Sequence, residues 1–126
     1  MPLRTPIKRA RGLGSAKDGV GHWWLQRVTA VALIPLVMWL SFGLASNVGG
    51  DYAAVREWVG SPFTAGLFIL LIGTMYFHAQ LGLQVVIEDY IHGKLAQLAS
   101  LIAVKFLAAV LALTGILAVL RIAFGG

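Results

Sequence analysis

One histidine, His78, lies in the middle of a long apolar stretch of the sequence. A charged group at such depth in lipid costs several kcal/mol, so we expect a neutral imidazole whose free nitrogen needs a hydrogen bond or a metal. Gly82 follows one helical turn later on the same face, where a missing side chain leaves room for a flat ring. A porphyrin held by a histidine needs such a gap. An interhelical hydrogen bond and a metal site both remain open at this point.

The chain has no second histidine at similar depth. His22 and His92 both lie near the expected inner interface of the membrane. If a porphyrin is held by two imidazoles, the second one must therefore come from another subunit.

Asp89 and Tyr90 follow His78 by eleven and twelve residues, which is about 16–18 Å along a helix axis. A tyrosine at the level of the lipid headgroups is often only an interfacial anchor. The functional alternative is a phenol that donates a hydrogen bond to a carbonyl ligand, beside a carboxylate that handles protons.

Three basic side chains near or within the apolar runs also admit two interpretations. Arg27 opens the first run and is either a snorkelling anchor or the counter-charge of an anionic group such as a haem propionate, with His22 as a second donor. Lys105 lies about seven residues inside the third run, where snorkelling is the simplest account and a subunit contact is the second. Arg121 lies near the outer end of that run.

The composition decides which class of protein positions these residues. Of 126 residues, 59% are hydrophobic and 12% are charged, far less charge than a soluble domain of this size needs. The chain has no cysteine, so it forms no disulfide, binds no iron–sulfur cluster through thiolates and attaches no c-type haem. We therefore predict an all-α membrane protein.

Three apolar runs predict three transmembrane helices, each close to the length that a bilayer requires. The spans cover about residues 28–46, 63–87 and 98–124, and together they form a membrane anchor domain of residues 28–126. The polar loop 47–62 separates the first two spans. A cleaved signal peptide is the competing interpretation of the first run, but its basic region and its apolar core are both too long.

Residues 1–27 form a basic tail, with glycines and prolines that indicate a flexible or peripheral segment at its start. Six of the ten basic residues precede the first span and one acidic residue opposes them, which places the N-terminus in the cytoplasm and the C-terminus in the periplasm. The same distribution argues against nucleic-acid binding. The six are Arg4, Lys8, Arg9, Arg11, Lys17 and Arg27.

Two segments carry a resemblance to a known family. The first reads His22-Trp-Trp-Leu-Gln-Arg27-Val-Thr-Ala-Val-Ala, and the second reads His78-Ala-Gln-Leu-Gly82-Leu-Gln-Val-Val-Ile-Glu-Asp89-Tyr90. Together they resemble the succinate dehydrogenase hydrophobic membrane anchor, the smaller of the two anchor subunits of complex II. The resemblance covers roughly residues 13–95. The long basic tail departs from the family pattern, and the third span agrees only in being hydrophobic.

The resemblance implies a role for each matching residue. His78 would be one axial ligand of a b-type haem shared with a histidine of the partner anchor, and Gly82 would pack against the ring. Arg27 and His22 would lie near the haem propionates or the quinone site. Tyr90 would hydrogen-bond ubiquinone, with Asp89 beside it.

The resemblance also implies partners and a place in metabolism. The chain would form half of a heterodimeric anchor bundle with a cytochrome b-type subunit in the bacterial inner membrane. A flavoprotein with FAD and an iron–sulfur protein would oxidise succinate in the tricarboxylic acid cycle and pass electrons to the respiratory chain, so this chain itself carries no succinate-oxidising site. The alternatives are a fumarate reductase anchor and a non-redox scaffold or small transporter subunit.

Overall fold

The structure, a computed structural model, describes the backbone of residues 15–125 and the side chains of residues 19–125. The stretch from Pro62 to Tyr90 has no internal proline and folds into one long helix. Within residues 15–125, three helices are long and apolar enough to cross a membrane, which confirms the predicted all-α membrane architecture. The described residues form four helices, α1 (Ser15–Ser46), α2 (Tyr52–Gly60), α3 (Pro62–Tyr90) and α4 (Lys94–Ala123).

Helix α1 begins well before the apolar run that it contains. The second half of the predicted tail is helical from Ser15 onward and continues into the span without a break. Pro35 lies inside the helix, as lipid-embedded helices tolerate. The remainder of the tail, with Arg4, Lys8, Arg9 and Arg11, lies outside the described residues, so its predicted flexibility is not addressed by the structure.

Helix α2 lies in the segment that we predicted to be a polar loop. Asp51 starts it, because the carboxylate accepts a hydrogen bond from the Ala54 amide at 2.8 Å and caps the first turn. Trp58 of α2 packs on Trp39 and Phe68 with ring centroids 6.1 and 5.4 Å away. The indole lies directly over Gly43 of α1, where a side chain would collide with it. The loop therefore folds back on the bundle.

Helix α3 is the central element of the bundle. It packs against α1 and against α4, whereas within the described residues no Cα atom of α1 comes within 8 Å of a Cα atom of α4. Gly115 of α4 lies against Ile72 of α3, where an added side-chain carbon would approach to 3.3 Å. Ala108, Ala112 and Gly115 form a small-residue face of α4, which contacts the chain's own α3 at Gly115.

Few side chains are buried by these contacts. The buried apolar residues are spread thinly along the three long helices, and most large apolar side chains face outward. Such exposed apolar faces must be covered by lipid or by a partner subunit. The buried residues among those described are Thr29, Leu36, Thr64, Ala65, Leu71, Gln80, Leu81, Ile87 and Val119.

Candidate functional site

His78 lies on the face of α3 that packs against α1, and both of its ring nitrogens meet polar groups there. Its Nδ1 is 2.8 Å from the hydroxyl oxygen of Thr29, which is buried between the helices. Its Nε2 is 3.5 Å from the side-chain nitrogen of Gln26. The interhelical hydrogen bond, one of the two alternatives from the sequence, is therefore present.

The Thr29 hydroxyl carries one proton and has two kinds of neighbour. It lies 2.7 Å from the carbonyl oxygen of Leu25 and 3.1 Å from that of Gln26, in its own helix. Thr114 of α4 makes the same 2.7 Å bond to the carbonyl one turn before it, with no histidine nearby. This contact to the helix backbone is thus a local preference of threonine.

Gln26 lies between His78 and the gap beside Gly82. A side-chain carbon added at Gly82 would meet only the Gln26 amide nitrogen, at 3.8 Å, so the glycine does leave space on this face. The Gln26 side-chain oxygen is buried and has no hydrogen-bond partner within the described part of the chain. The amide is thus held only by the long contact to the His78 ring.

His22 reaches the same helix–helix contact one turn earlier in α1. Its Nε2 is 3.1 Å from the carbonyl oxygen of Leu81, to which it donates, so the structure does bring His22 next to Gly82. Arg27 takes a different direction. It is exposed, and its guanidinium carbon lies 5.1 Å from the ring centre of Trp23 on the outer surface of α1.

Asp89 and Tyr90 form the last two residues of α3. Both are exposed, and Tyr90 has 78% of its surface accessible, with no hydrogen bond to its hydroxyl from residues 15–125. Gln97 of α4 donates to the carbonyl oxygens of Ile91 at 3.0 Å and Glu88 at 3.4 Å. It thereby satisfies carbonyls at the end of α3 and fixes the turn that presents Tyr90.

The structure thus brings His78 of α3 together with three side chains of α1, two of which were not predicted from the sequence. His22, Gln26 and Thr29 follow each other at intervals of four and three, which places them on one helix face. That spacing was a usable signal for Gln26 and Thr29. Lys105 is exposed and borders a shallow depression between α3 and α4, away from His78.

The arrangement can hold one metal ligand rather than a complete coordination shell. No group of three or more His, Asp or Glu residues that could bind a metal occurs within residues 15–125. A single imidazole with an open helix face beside it suits a planar cofactor whose remaining ligands come from its own ring and from elsewhere.

Comparisons with known proteins agree with the resemblance carried by the two segments. The profile of a family described as "Succinate dehydrogenase/Fumarate reductase transmembrane subunit" matches residues 1–117. A succinate dehydrogenase hydrophobic membrane anchor subunit of Rickettsia bellii is 37% identical over 103 residues, 82% of each chain. The subunit of the same name from Paracoccus denitrificans is 34% identical over 108 residues, 86% of this chain and 84% of the relative.

A third relative has a similar name. The succinate dehydrogenase membrane anchor subunit of Reclinomonas americana is 30% identical over 95 residues, 73% of this chain and 79% of the relative. No solved structure matched the chain.

Proposed function

The chain belongs to the succinate dehydrogenase/fumarate reductase transmembrane subunit family, and from this premise we propose that it ligates a b-type haem through His78 and forms part of a ubiquinone site at Tyr90. It is a membrane anchor subunit of succinate dehydrogenase. The observation that carries the haem proposal is the geometry of His78, whose Nδ1 lies 2.8 Å from the Thr29 hydroxyl oxygen while Nε2 faces the Gln26 amide at the edge of the open space beside Gly82.

The residues around His78 fit a haem. The Gln26 amide lies against Nε2 of His78, and its buried oxygen has no hydrogen-bond partner within the described residues. The amide is therefore only weakly stabilised in this position. Gly82 keeps the adjacent backbone open. His22 lies one turn away, and its Nε2–H, which donates to the carbonyl oxygen of Leu81, would meet an anionic group only by leaving that bond. When bound, the haem supplies a one-electron store within the membrane.

Arg27 is the weakest member of the proposed haem set. Its guanidinium rests over Trp23 on the outer surface of α1. In the proposal, the Arg27 guanidinium leaves the Trp23 ring and donates to a haem propionate at the edge of the site. A partner helix that packs on this surface would bring the guanidinium and the propionate together.

The quinone proposal rests on the end of α3. Tyr90 is exposed on the membrane edge, and Gln97 holds the following turn, so the phenol is positioned yet unbonded. Tyr90 donates a hydrogen bond to a quinone carbonyl. Asp89, beside it and also exposed, accepts and returns the protons that quinone reduction consumes.

The remaining parts of the proposed enzyme are separate chains. A flavoprotein subunit oxidises succinate, an iron–sulfur subunit carries the electrons to the inner face of the membrane, and a second anchor subunit supplies the other imidazole. The direction of the three spans follows the positive-inside rule, with the N-terminus in the cytoplasm.

An absorption spectrum of the purified complex tests the proposal. A b-type haem gives sharp bands on reduction, and we expect His78→Ala to abolish them or alter the ligation. A complex without such bands would leave the bond between His78 and Thr29 as purely structural, which is the scaffold alternative. Bound ubiquinone in the same preparation supports succinate oxidation, whereas a low-potential quinone in its place would indicate a fumarate reductase anchor.

A further inference from the structure

The bond between Thr29 and His78 determines which ring nitrogen is free. The Thr29 oxygen is 2.7 Å from the Leu25 carbonyl oxygen, a distance at which two oxygens attract only if a proton lies between them. The hydroxyl proton is therefore committed to its own helix. The oxygen can then only accept from His78, and at 2.8 Å the group that donates is Nδ1–H.

We propose that Thr29 is a positioning residue that holds His78 in the Nδ1–H tautomer, so that the Nε2 lone pair is directed at the Gln26 amide, which borders the gap beside Gly82. This inference rests on the proposed haem ligation for its purpose, although the tautomer is a property of the chain itself. A hydrogen bond from the far nitrogen of a ligating imidazole fixes the ring and raises its basicity as a ligand. Thr29 is buried, so water does not compete for the same nitrogen.

The tautomer can be measured without haem. We would label the full-length chain with 15N-histidine, place it haem-free in lipid bilayers and assign the His78 signals by comparison with His78→Gln. The expected spectrum shows Nδ1 protonated and Nε2 bare. In Thr29→Val this pattern should be lost, whereas Thr29→Ser should keep it. A protonated Nε2 in the native chain would overturn the proposal, because Thr29 would then donate to the ring.

The haem-loaded complex gives a second readout that a merely structural threonine would not move. Loss of the Nδ1–H bond makes the imidazole a weaker donor to ferric iron, so Thr29→Val should raise the haem reduction potential. We expect about a tenfold change in the redox equilibrium, which is ~59 mV for one electron, with Thr29→Ser close to the native value. Thr114→Val removes the same local bond on α4 and should leave the potential unchanged.

The possible failures are distinguishable. If His78→Ala retains the native haem spectrum, the proposed function fails. If His78→Ala loses the spectrum while Thr29→Val keeps both the native tautomer and the native potential, only the positioning role of Thr29 fails.

A different observation, the unpaired oxygen of Gln26, supports a second inference. We infer that Gln26 is a placeholder, whose amide occupies the space at His78 Nε2 in the haem-free chain and leaves when the ring binds. The amide is held by a single 3.5 Å contact and its oxygen is buried without a partner, so moving it away frees a polar group rather than breaking a strong bond.

Haem uptake by the haem-free complex, prepared from haem-starved cells, tests this role. Gln26→Ala should take up haem several-fold faster than the native complex, while Gln84→Ala, which removes an amide bonded to Gln80 on α3, should not. Equal or slower uptake in Gln26→Ala would overturn the placeholder role alone. No uptake by the native complex would overturn it together with the proposed function.

Discussion

At the scale of single residues, the two ring nitrogens of His78 have different neighbours. Nδ1 is hydrogen-bonded to Thr29, whereas Nε2 has only a long contact with the Gln26 amide. We expect His78→Ala to lose the low-spin haem signal, or to retain haem with altered ligation, because the other histidine near this gap, His22, already donates to the carbonyl oxygen of Leu81. The spectrum of the purified complex is the measurement. His92→Ala, an exposed histidine beyond the end of α3, is the matched control and should leave the spectrum native.

Gly82 offers a test of the space rather than of the ligand. A Cβ added there would meet only the Gln26 amide nitrogen, at 3.8 Å, so we expect the helix packing to tolerate Gly82→Leu. The same side chain should crowd a ring bound at His78 and reduce haem content in the purified complex. Native haem content in this variant would show that the ring lies on another side of α3.

Tyr90 tests the quinone site separately. Tyr90→Phe removes one donor, and a lost hydrogen bond costs ~0.5–1.5 kcal/mol, or more when a buried acceptor is left unpaired. We expect quinone reduction to fall by roughly several-fold to a hundredfold, while succinate oxidation with an upstream dye and the haem spectrum stay native. Tyr52→Phe, at the far end of the bundle, is the control. Unchanged quinone turnover and inhibitor affinity would reduce Tyr90 to an interfacial anchor.

Asp89 tests the proposed handling of protons at the same site. Asp89→Asn keeps the size of the side chain but removes the group that accepts a proton. We expect slower quinone reduction with a shifted pH dependence, measured in the assembled enzyme. A slower rate with an unshifted pH profile would indicate a positional role for the carboxylate.

At the scale of the helices, α2 depends on a glycine in a different helix. Because the Trp58 indole lies directly over Gly43, Gly43→Ala should force the indole away and loosen α2. Overpacking of this kind typically costs ~1–3 kcal/mol. We expect a lower thermal midpoint and altered tryptophan fluorescence of the complex. Gly66→Ala, where an added carbon meets nothing, is the control and should behave as the native protein.

The three long helices were predictable from the sequence because lipid imposes a simple rule of length and apolarity. Helix α2 was not, because its stability depends on contacts of Trp58 with α1 and α3 that lie far away in sequence. The same reason hid the partner of His78. The depth of His78 and its neighbour Gly82 were visible in the sequence. The pairing with Thr29 was not, because it depends on which face α1 turns toward α3.

At the scale of the whole molecule, the orientation in the membrane follows from charge and is still a prediction. The chain has no cysteine, so single cysteines introduced at Lys17 and Ser46 can be labelled without a background signal. In intact cells, an impermeant reagent should label position 46 and not position 17, because the basic segment stays in the cytoplasm. Labelling of position 17 in preference to position 46 would reverse the topology.

The unbroken course of α3 has a mechanical consequence. The helix runs from Pro62 to Tyr90 with its only proline at the first position, so it acts as a stiff rod of roughly 44 Å. When the bilayer thickens or thins, α3 changes its tilt rather than its shape, because its backbone hydrogen bonds oppose bending. His78 and Tyr90 stay about 18 Å apart along it. For the proposed function, lipid composition should therefore alter how quinone reaches Tyr90, but not the distance along the helix between the proposed haem ligand and the proposed quinone donor.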